Sequence, residues 1–221
     1  DVAINARAED AMARLLETLT PSSSLWQAFD VAHQRDVWRA ETEVERPGII
    51  AIVEALRAVV PENAMIYSDM TQFAYVANEV WPMTRPKHWH HPSGFGTLGY
   101  ALPAAIGGAT ARPSHPTMAI AGDYGFQYSV QELGAAVELG QALPIILWDN
   151  GKLKEIEDSM RSAQIVPNAV IAKNPDFMSL AKAYGANAVA PATFAELRQA
   201  VTEAFAADGP TVIYLTPAIR A

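Results

Sequence analysis

Thr117-Met118-Ala119-Ile120-Ala121 runs into Gly122-Asp123-Tyr124-Gly125-Phe126, and Pro144-Ile145-Ile146-Leu147-Trp148 runs into Asp149-Asn150-Gly151. The reading of these two stretches decides the fold. Each apolar run is short and bounded by turn residues, which is the pattern of a buried strand. Between them, Tyr128 to Gly140 reads as a helix, with Gly122 to Phe126 as the loop before it. A strand, a crossover helix and a second strand make a parallel pair. Both polar tips then emerge at one edge of the sheet, beyond the carboxyl ends of the strands, where open α/β sheets bind ligands. A carboxylate from Asp123 and an amide oxygen from Asn150 suit a hard cation such as Mg²⁺, which usually also carries phosphate oxygens and water. The plainer alternative is that Asp123 caps the following helix and Asn150 closes a turn.

Working outward, Met65 to Asp69 reads as a first sheet strand, preceded by an amphipathic helix from Ile49 to Val60 with Ile50, Val53, Leu56 and Val60 at helical spacing. Thr71 to Val80 reads as a loop and a helix. Trp81 to Ser93 reads as irregular, and Gly99 to Thr110 as a helix that keeps Pro103 in its first turn. After the Asn150 loop, the expected order is a helix from Asp176 to Tyr184 and a strand from Asn187 to Ala190. A helix from Thr193 to Ala207 and a strand from Thr211 to Thr216 follow. Alternating strands and helices predict an α/β, doubly wound and mostly parallel sheet with helices on both faces. Upstream, Asp1 to Asn5 looks strand-like and Ala8 to Thr20 helical. Pro21 to Ser24 opens a second helix with Ser24 as a candidate N-cap, and the charged stretch from Trp26 to Glu45 reads as a solvated helix and linker.

The pair Asp123 and Asn150, 27 positions apart (150 − 123), resembles the thiamin-diphosphate motif, a Gly-Asp-Gly followed one helix and one strand later by Asn-Asn. Gly94-Phe95-Gly96-Thr97-Leu98-Gly99-Tyr100-Ala101-Leu102-Pro103-Ala104-Ala105-Ile106-Gly107 and Val130-Gln131-Glu132-Leu133 are similar to segments of acetolactate-synthase-like enzymes, a flavoprotein-like family. The likeness runs from about Pro47 to Thr216. It implies the thiamin-diphosphate-binding fold, with residues 47–221 as the C-terminal, diphosphate-binding domain and residues 1–46 as the tail of a central domain plus linker. It also implies the cofactors, thiamin diphosphate and Mg²⁺. Asp123, Asn150 and the backbone carbonyl of Lys152 would hold the metal, and Gly122, Tyr124 and Gly125 would lie beside the diphosphate. Gly96, Thr97 and Leu98 would cradle the aminopyrimidine, with the Leu98 side chain wedged under the cofactor.

The chain departs from the family at two places. Tyr124 stands where the family has Gly, and Leu153-Lys154 replaces an aromatic-Gly pair. Lys152 and Lys154 read either as added charge beside a diphosphate or as solvated loop lysines. His88, His90 and His91 are poorly spaced for one metal; His90 and His91 are candidates to line a substrate entrance. Asp69, ending its strand, reads either as a hydrogen-bonding group in the same crevice or as a helix cap. Trp81, Trp89, Phe95 and Tyr100 suggest an aromatic cluster, either in the core or at the cofactor's edge.

By the same resemblance, the activity is that of a lyase or transferase acting on a 2-oxo acid. Decarboxylation and acetolactate-type carboligation are both open, and Trp148 to Gly151 with Glu155-Ile156 hints at decarboxylases of guanidino-substituted acids. The activating glutamate would come from the pyrimidine-binding domain of a partner subunit in a homodimer or homotetramer, so the 221 residues alone are expected to be inactive. A cofactor-free domain with a structural or regulatory role is the alternative. A nicotinamide-binding domain fits poorly, because no Gly-x-Gly-x-x-Gly follows a strand where it must.

Composition bounds these readings. Net charge is −8, which argues against nucleic acid, and half of the residues are apolar. There is no Cys, hence no disulfide and no zinc–thiolate site. No run approaches the roughly 18 apolar residues of a membrane span, and a soluble cytoplasmic protein is expected.

Overall fold

The computed structural model describes residues 3–20, 27–171 and 173–221. It divides into two units, residues 1–38 and residues 39–221. The first contains α1 (Ala8–Thr18), which buries none of its residues. The expected strand at the start is not formed by Ala3 to Asn5. Asp1, Val2, the Ser24 cap and Trp26 lie outside the described residues. Helix α2 (Ala28–Glu45) is charged and mostly exposed, as its sequence suggests.

The second unit is built on six parallel strands in the order β2-β1-β3-β4-β6-β5. They are β1 (Met65–Ser68), β2 (Trp89–His90), β3 (Thr117–Gly122), β4 (Leu143–Trp148), β5 (Asn187–Val189) and β6 (Pro210–Leu215). Every residue of β1, β3 and β4 is buried. That is why those runs are mostly apolar rather than alternating, with only Ser68 and Thr117 polar: helices cover both faces. Successive side chains still point to opposite sides. Ile66, Met118, Ile120, Ile146, Trp148 and Ile213 join one core with α3 (Ile49–Arg57), α4 (Gln72–Val80) and α10 (Phe194–Phe205). Met65, Tyr67, Ala119, Ala121, Ile145 and Leu147 join the other with α5 (Ala101–Ala111), α6 (Asp123–Ser129), α7 (Glu132–Leu139) and α9 (Phe177–Ala183). Fully buried Phe73, Phe126 and Phe177 anchor these layers, each contributing on the order of 1.5–3 kcal/mol of burial.

From β1 the chain passes through α4 to β2 on one side, and from β3 through α6 and α7 to β4 on the other. The strand order therefore reverses between β1 and β3, and a crevice opens at their carboxyl ends.

The second unit also departs from the sequence reading. The loop expected from Gly122 to Phe126 is already helix from Asp123 on. A helix not expected, α8 (Lys154–Ser162), follows the Asn150 turn. The stretch expected to be irregular contributes the short edge strand β2. The four aromatics do not form one cluster: Trp81 and Trp89 meet edge-on at 5.7 Å, Tyr100 packs on the second core, and Phe95 is 95% exposed.

Candidate functional site

Three strand tips meet at the crevice. Tyr67 and Ser68 of β1 pair with Ala119 and Ile120 of β3, and Gly122 of β3 pairs with Trp148 of β4. Asp69, Asp123 and Asn150 follow within two residues of those ends. A cleft of about 280 Å³ lies there, near the lower size of small-molecule sites. Its walls include Met70, Thr71 and Gln72 after β1; Gly96 and Leu98; Gly122 to Gly125; and Asn150 with Lys152 to Ile156. The structure thus brings Gly96, Leu98, Gly122, Asp123, Tyr124, Gly125, Asn150 and Lys152 together. Thr97 does not line the cleft; its hydroxyl donates to the Leu98 carbonyl.

Asp123 is buried, 4% exposed. Its Oδ2 accepts from Asn174 Nδ2 at 2.7 Å, and the second hydrogen of the same amide goes to Asp149 Oδ1 at 2.9 Å. The Tyr214 hydroxyl donates to Asp149 Oδ2 at 2.8 Å. Burial raises the Asp123 pKa and the nearby Asp149 charge adds to it, while the Asn174 bond opposes both. Burial and the bond to Asp149 push Tyr214 up to about 12, so it stays a donor at neutral pH. Asp149, Asn174 and Tyr214 escaped the sequence reading. Asp149 stood in the quoted tip, but nothing local marks Asn174 or Tyr214 as its partners.

Asn150 Oδ1 accepts from the Lys152 backbone N–H at 3.2 Å, and its amide donates to Gln72 Oε1 at 3.3 Å. It therefore closes a turn, and its oxygen keeps a second lone pair. The two lysines are not free in solvent: Lys152 pairs with buried Glu157 at 3.0 Å, and Lys154 pairs with Asp158. Arg161 and Lys152 together hold the Glu157 carboxyl down at about 2.

Tyr124 lies in α6 with helical backbone, so the family's glycine is not needed there for a positive φ. Burial raises its pKa, and the residue lines the cleft. Gly125, one residue further on, is close-packed. A Cβ on Gly125 would stand 2.2 Å from Asp69 Oδ2, so a side chain here would make the neighbouring carboxylate shift.

His90 and His91 do not line the cleft. His90 stacks on Tyr67 at 4.6 Å. His91 Nδ1 is hydrogen-bonded to Ser68 Oγ at 2.9 Å, and burial lowers its pKa. Asp69 does not cap α4: it accepts from the Gly99 and Tyr100 N–H groups at 2.9 and 3.3 Å.

The donor set fits a cation that brings its own ligands. Among the described residues no group of three or more His, Cys, Asp or Glu side chains could hold a metal by itself. A buried carboxylate and an amide oxygen with a spare lone pair share the cleft, and Mg²⁺ bound this way completes its shell with phosphate oxygens and water.

The sheet thus carries Asp123 at the switch point and Asn150 on the next strand tip, both in one cleft. The chain belongs to the thiamin-diphosphate enzyme family: residues 69–215 match the model of the thiamine pyrophosphate enzyme C-terminal TPP binding domain. It is 40% identical over 166 residues to the probable 2-ketoarginine decarboxylase AruI of Pseudomonas aeruginosa, covering 75% of this chain and 30% of that protein. It is 32% identical over 202 residues to the acetolactate synthase large subunit of Haemophilus influenzae, covering 86% and 34%. Among solved structures it resembles the thiamine diphosphate-dependent 4-hydroxybenzoylformate decarboxylase of Rhodococcus jostii RHA1, with a TM-score of 0.71, 25% identity and coverage of 76% and 32%. The benzoylformate decarboxylase of Polynucleobacter necessarius gives 0.69, 26%, 75% and 32%. The chain spans about a third of the length of these proteins. Among the described residues no helix is long and apolar enough to cross a membrane.

Proposed function

We propose that the cleft binds thiamin diphosphate through Mg²⁺, as the C-terminal domain of a longer, cytoplasmic 2-oxo acid decarboxylase or acetolactate-synthase-like carboligase. The observation that carries this reading is the meeting of Asp123 and Asn150 in one cleft, with Gly96 and Leu98 in its wall. Asp123, Asn150 and the Lys152 carbonyl would hold the cation, and Gly122, Tyr124 and Gly125 would lie along the diphosphate. Gly96 and Leu98 would meet the aminopyrimidine, with Thr97 between them in the same loop but off the cleft wall. When bound, the cofactor supplies the electron sink that lets a 2-oxo acid lose CO₂. The chain's own residues bind and orient it. Asn174 holds the Asp123 carboxylate by a hydrogen bond, and Lys152 and Lys154 line the wall, each paired with a carboxylate of α8.

The activating glutamate would come from the pyrimidine-binding domain of a partner subunit in a homodimer or homotetramer. Residues 1–46 would belong to a central domain and linker. The 221 residues alone would then show no turnover in a decarboxylation assay. The name of the 40% identical relative puts 2-ketoarginine first among the 2-oxo acids to assay. Calorimetry of the full-length protein with thiamin diphosphate, with and without Mg²⁺, tests the reading. Saturable, Mg²⁺-dependent binding is expected. No heat under either condition would leave a cofactor-free domain with a structural or regulatory role.

A further inference from the structure

Residues 92–98 form an arch that carries two of the cleft's wall residues, Gly96 and Leu98. Its crown is exposed, from Ser93 to Thr97. The hydrogen bonds found in the arch are local: Ser93 N–H to the His91 carbonyl, Gly96 N–H to the Pro92 carbonyl, and the Thr97 hydroxyl to the Leu98 carbonyl. Among the described residues no hydrogen bond reaches the crown from beyond His91 or Leu98, and the longer-range bonds lie at its two feet.

Both feet are tied to one dipeptide. At the entry, Trp89 Nε1–H donates to Ser68 Oγ at 3.0 Å, and Ser68 Oγ is bonded to His91 Nδ1 at 2.9 Å. At the exit, Asp69 accepts from Gly99 N–H at 2.9 Å and from Tyr100 N–H at 3.3 Å. Ser68 and Asp69 are 0% and 1% exposed. We propose that Ser68 and Asp69, consecutive at the tip of β1, are positioning residues that hold the arch by its two ends and so set the place of Gly96 and Leu98 in the cleft. Gly125 supports this independently. It is a poor helix residue in the first turn of α6, and a side chain there would drive into Asp69 Oδ2 at 2.2 Å. The fold keeps that space for the carboxylate. Burial raises the Asp69 pKa, and the bonds from Gly99, Tyr100 and its neighbour Met70 oppose the rise.

The link from arch to cofactor rests on the proposed function; the link from dipeptide to arch does not. The decisive variant is Asp69→Asn in the full-length protein. It keeps the shape, but its NH₂ cannot accept, so one N–H of the exit foot loses its partner. Amide exchange at Gly99 and Tyr100 should rise about tenfold or more. Thiamin diphosphate affinity should fall about tenfold, while the Mg²⁺ midpoint at saturating cofactor stays within about twofold, since Asp123 and Asn150 stand on other strand tips. Ser68→Ala should loosen the entry foot with a smaller loss of affinity. If Asp69→Asn does not fold, Asp69→Glu, which keeps the acceptor but shifts it, is read by amide exchange at Gly99 and Tyr100 and by cofactor affinity in the same way. The inference is overturned if a folded variant keeps wild-type exchange at Gly99 and Tyr100, or if exchange rises and cofactor affinity holds. Should the wild-type protein bind no cofactor, the proposed function falls, and amide exchange alone still decides whether the dipeptide holds the arch.

Discussion

One wall of the cleft, from the β1 tip to α6, is joined by a buried carboxylate taking backbone N–H bonds, with Asp69 as the hub. The opposite wall, along α8, is joined by ion pairs: Lys152 and Arg161 to Glu157, Lys154 to Asp158, and Arg46 to Glu155. Apart from Glu157 and Arg46, these side chains are at least a third exposed. The first kind of joint is shielded from salt and intolerant of a single atom out of place. The second is weak per contact, screened by ions and forgiving of substitution. The two residues proposed to hold the metal lie one to each side, Asp123 beside the carboxylate-joined wall and Asn150 beside the charged one.

The largest effect expected is at Asp123. Asp123→Ala removes the carboxylate and leaves one Asn174 N–H without its partner, so Mg²⁺-dependent thiamin diphosphate binding should weaken by more than about 100-fold in calorimetry. Retained affinity would show that the carboxylate-joined wall does not carry the metal. Next is Asn174→Ala, which releases Asp123 from its hydrogen bond. Mn²⁺ titration by electron paramagnetic resonance with cofactor present should show affinity reduced about 10–100-fold.

Gly125→Ala tests the rigidity itself. The added Cβ meets Asp69 Oδ2 at 2.2 Å, and overpacking of this kind costs about 1–3 kcal/mol, a fall of several degrees in a thermal melt. A change of less than a degree would mean that the wall yields.

The charged wall should respond to pH instead. The Glu157 carboxyl is held near 2, against 4.5 when unperturbed, by Arg161 and Lys152. A depressed native pKa gives stability that is present above the unfolded value and lost as pH falls toward the native one. Denaturant unfolding should therefore show the wild type losing stability from about pH 4.5 toward 2, with that part of the slope missing in Glu157→Gln. The smallest effect belongs to Lys154→Ala, within about 0.5 kcal/mol and shrinking with added salt.

The same contrast explains what the sequence could tell. Strands β1, β3 and β4 are legible because burial on both faces makes them mostly apolar runs, and Asp123 and Asn150 stand out at their ends. Helix α8 is not legible, since Glu157 is its one buried residue and a helix that buries a charge shows no apolar stripe. Gly-Asp-Tyr-Gly reads as a loop because glycine disfavours helix, and only the Asp69 carboxylate across the gap explains Gly125. Asn174 lies 51 residues from its partner Asp123, and no local pattern announces a contact at that range. Strand β2 is two residues long, below the length at which periodicity means anything.

That brevity has a consequence for the life of the protein in a crowded solution. The sheet tapers from six residues in β3, β4 and β6 to three in β5 and two in β2 at its rims. A rim this short offers a stray extended chain almost nothing to zip onto, so the apolar interior strands stay sealed between neighbours and the molecule resists fibre-like self-association.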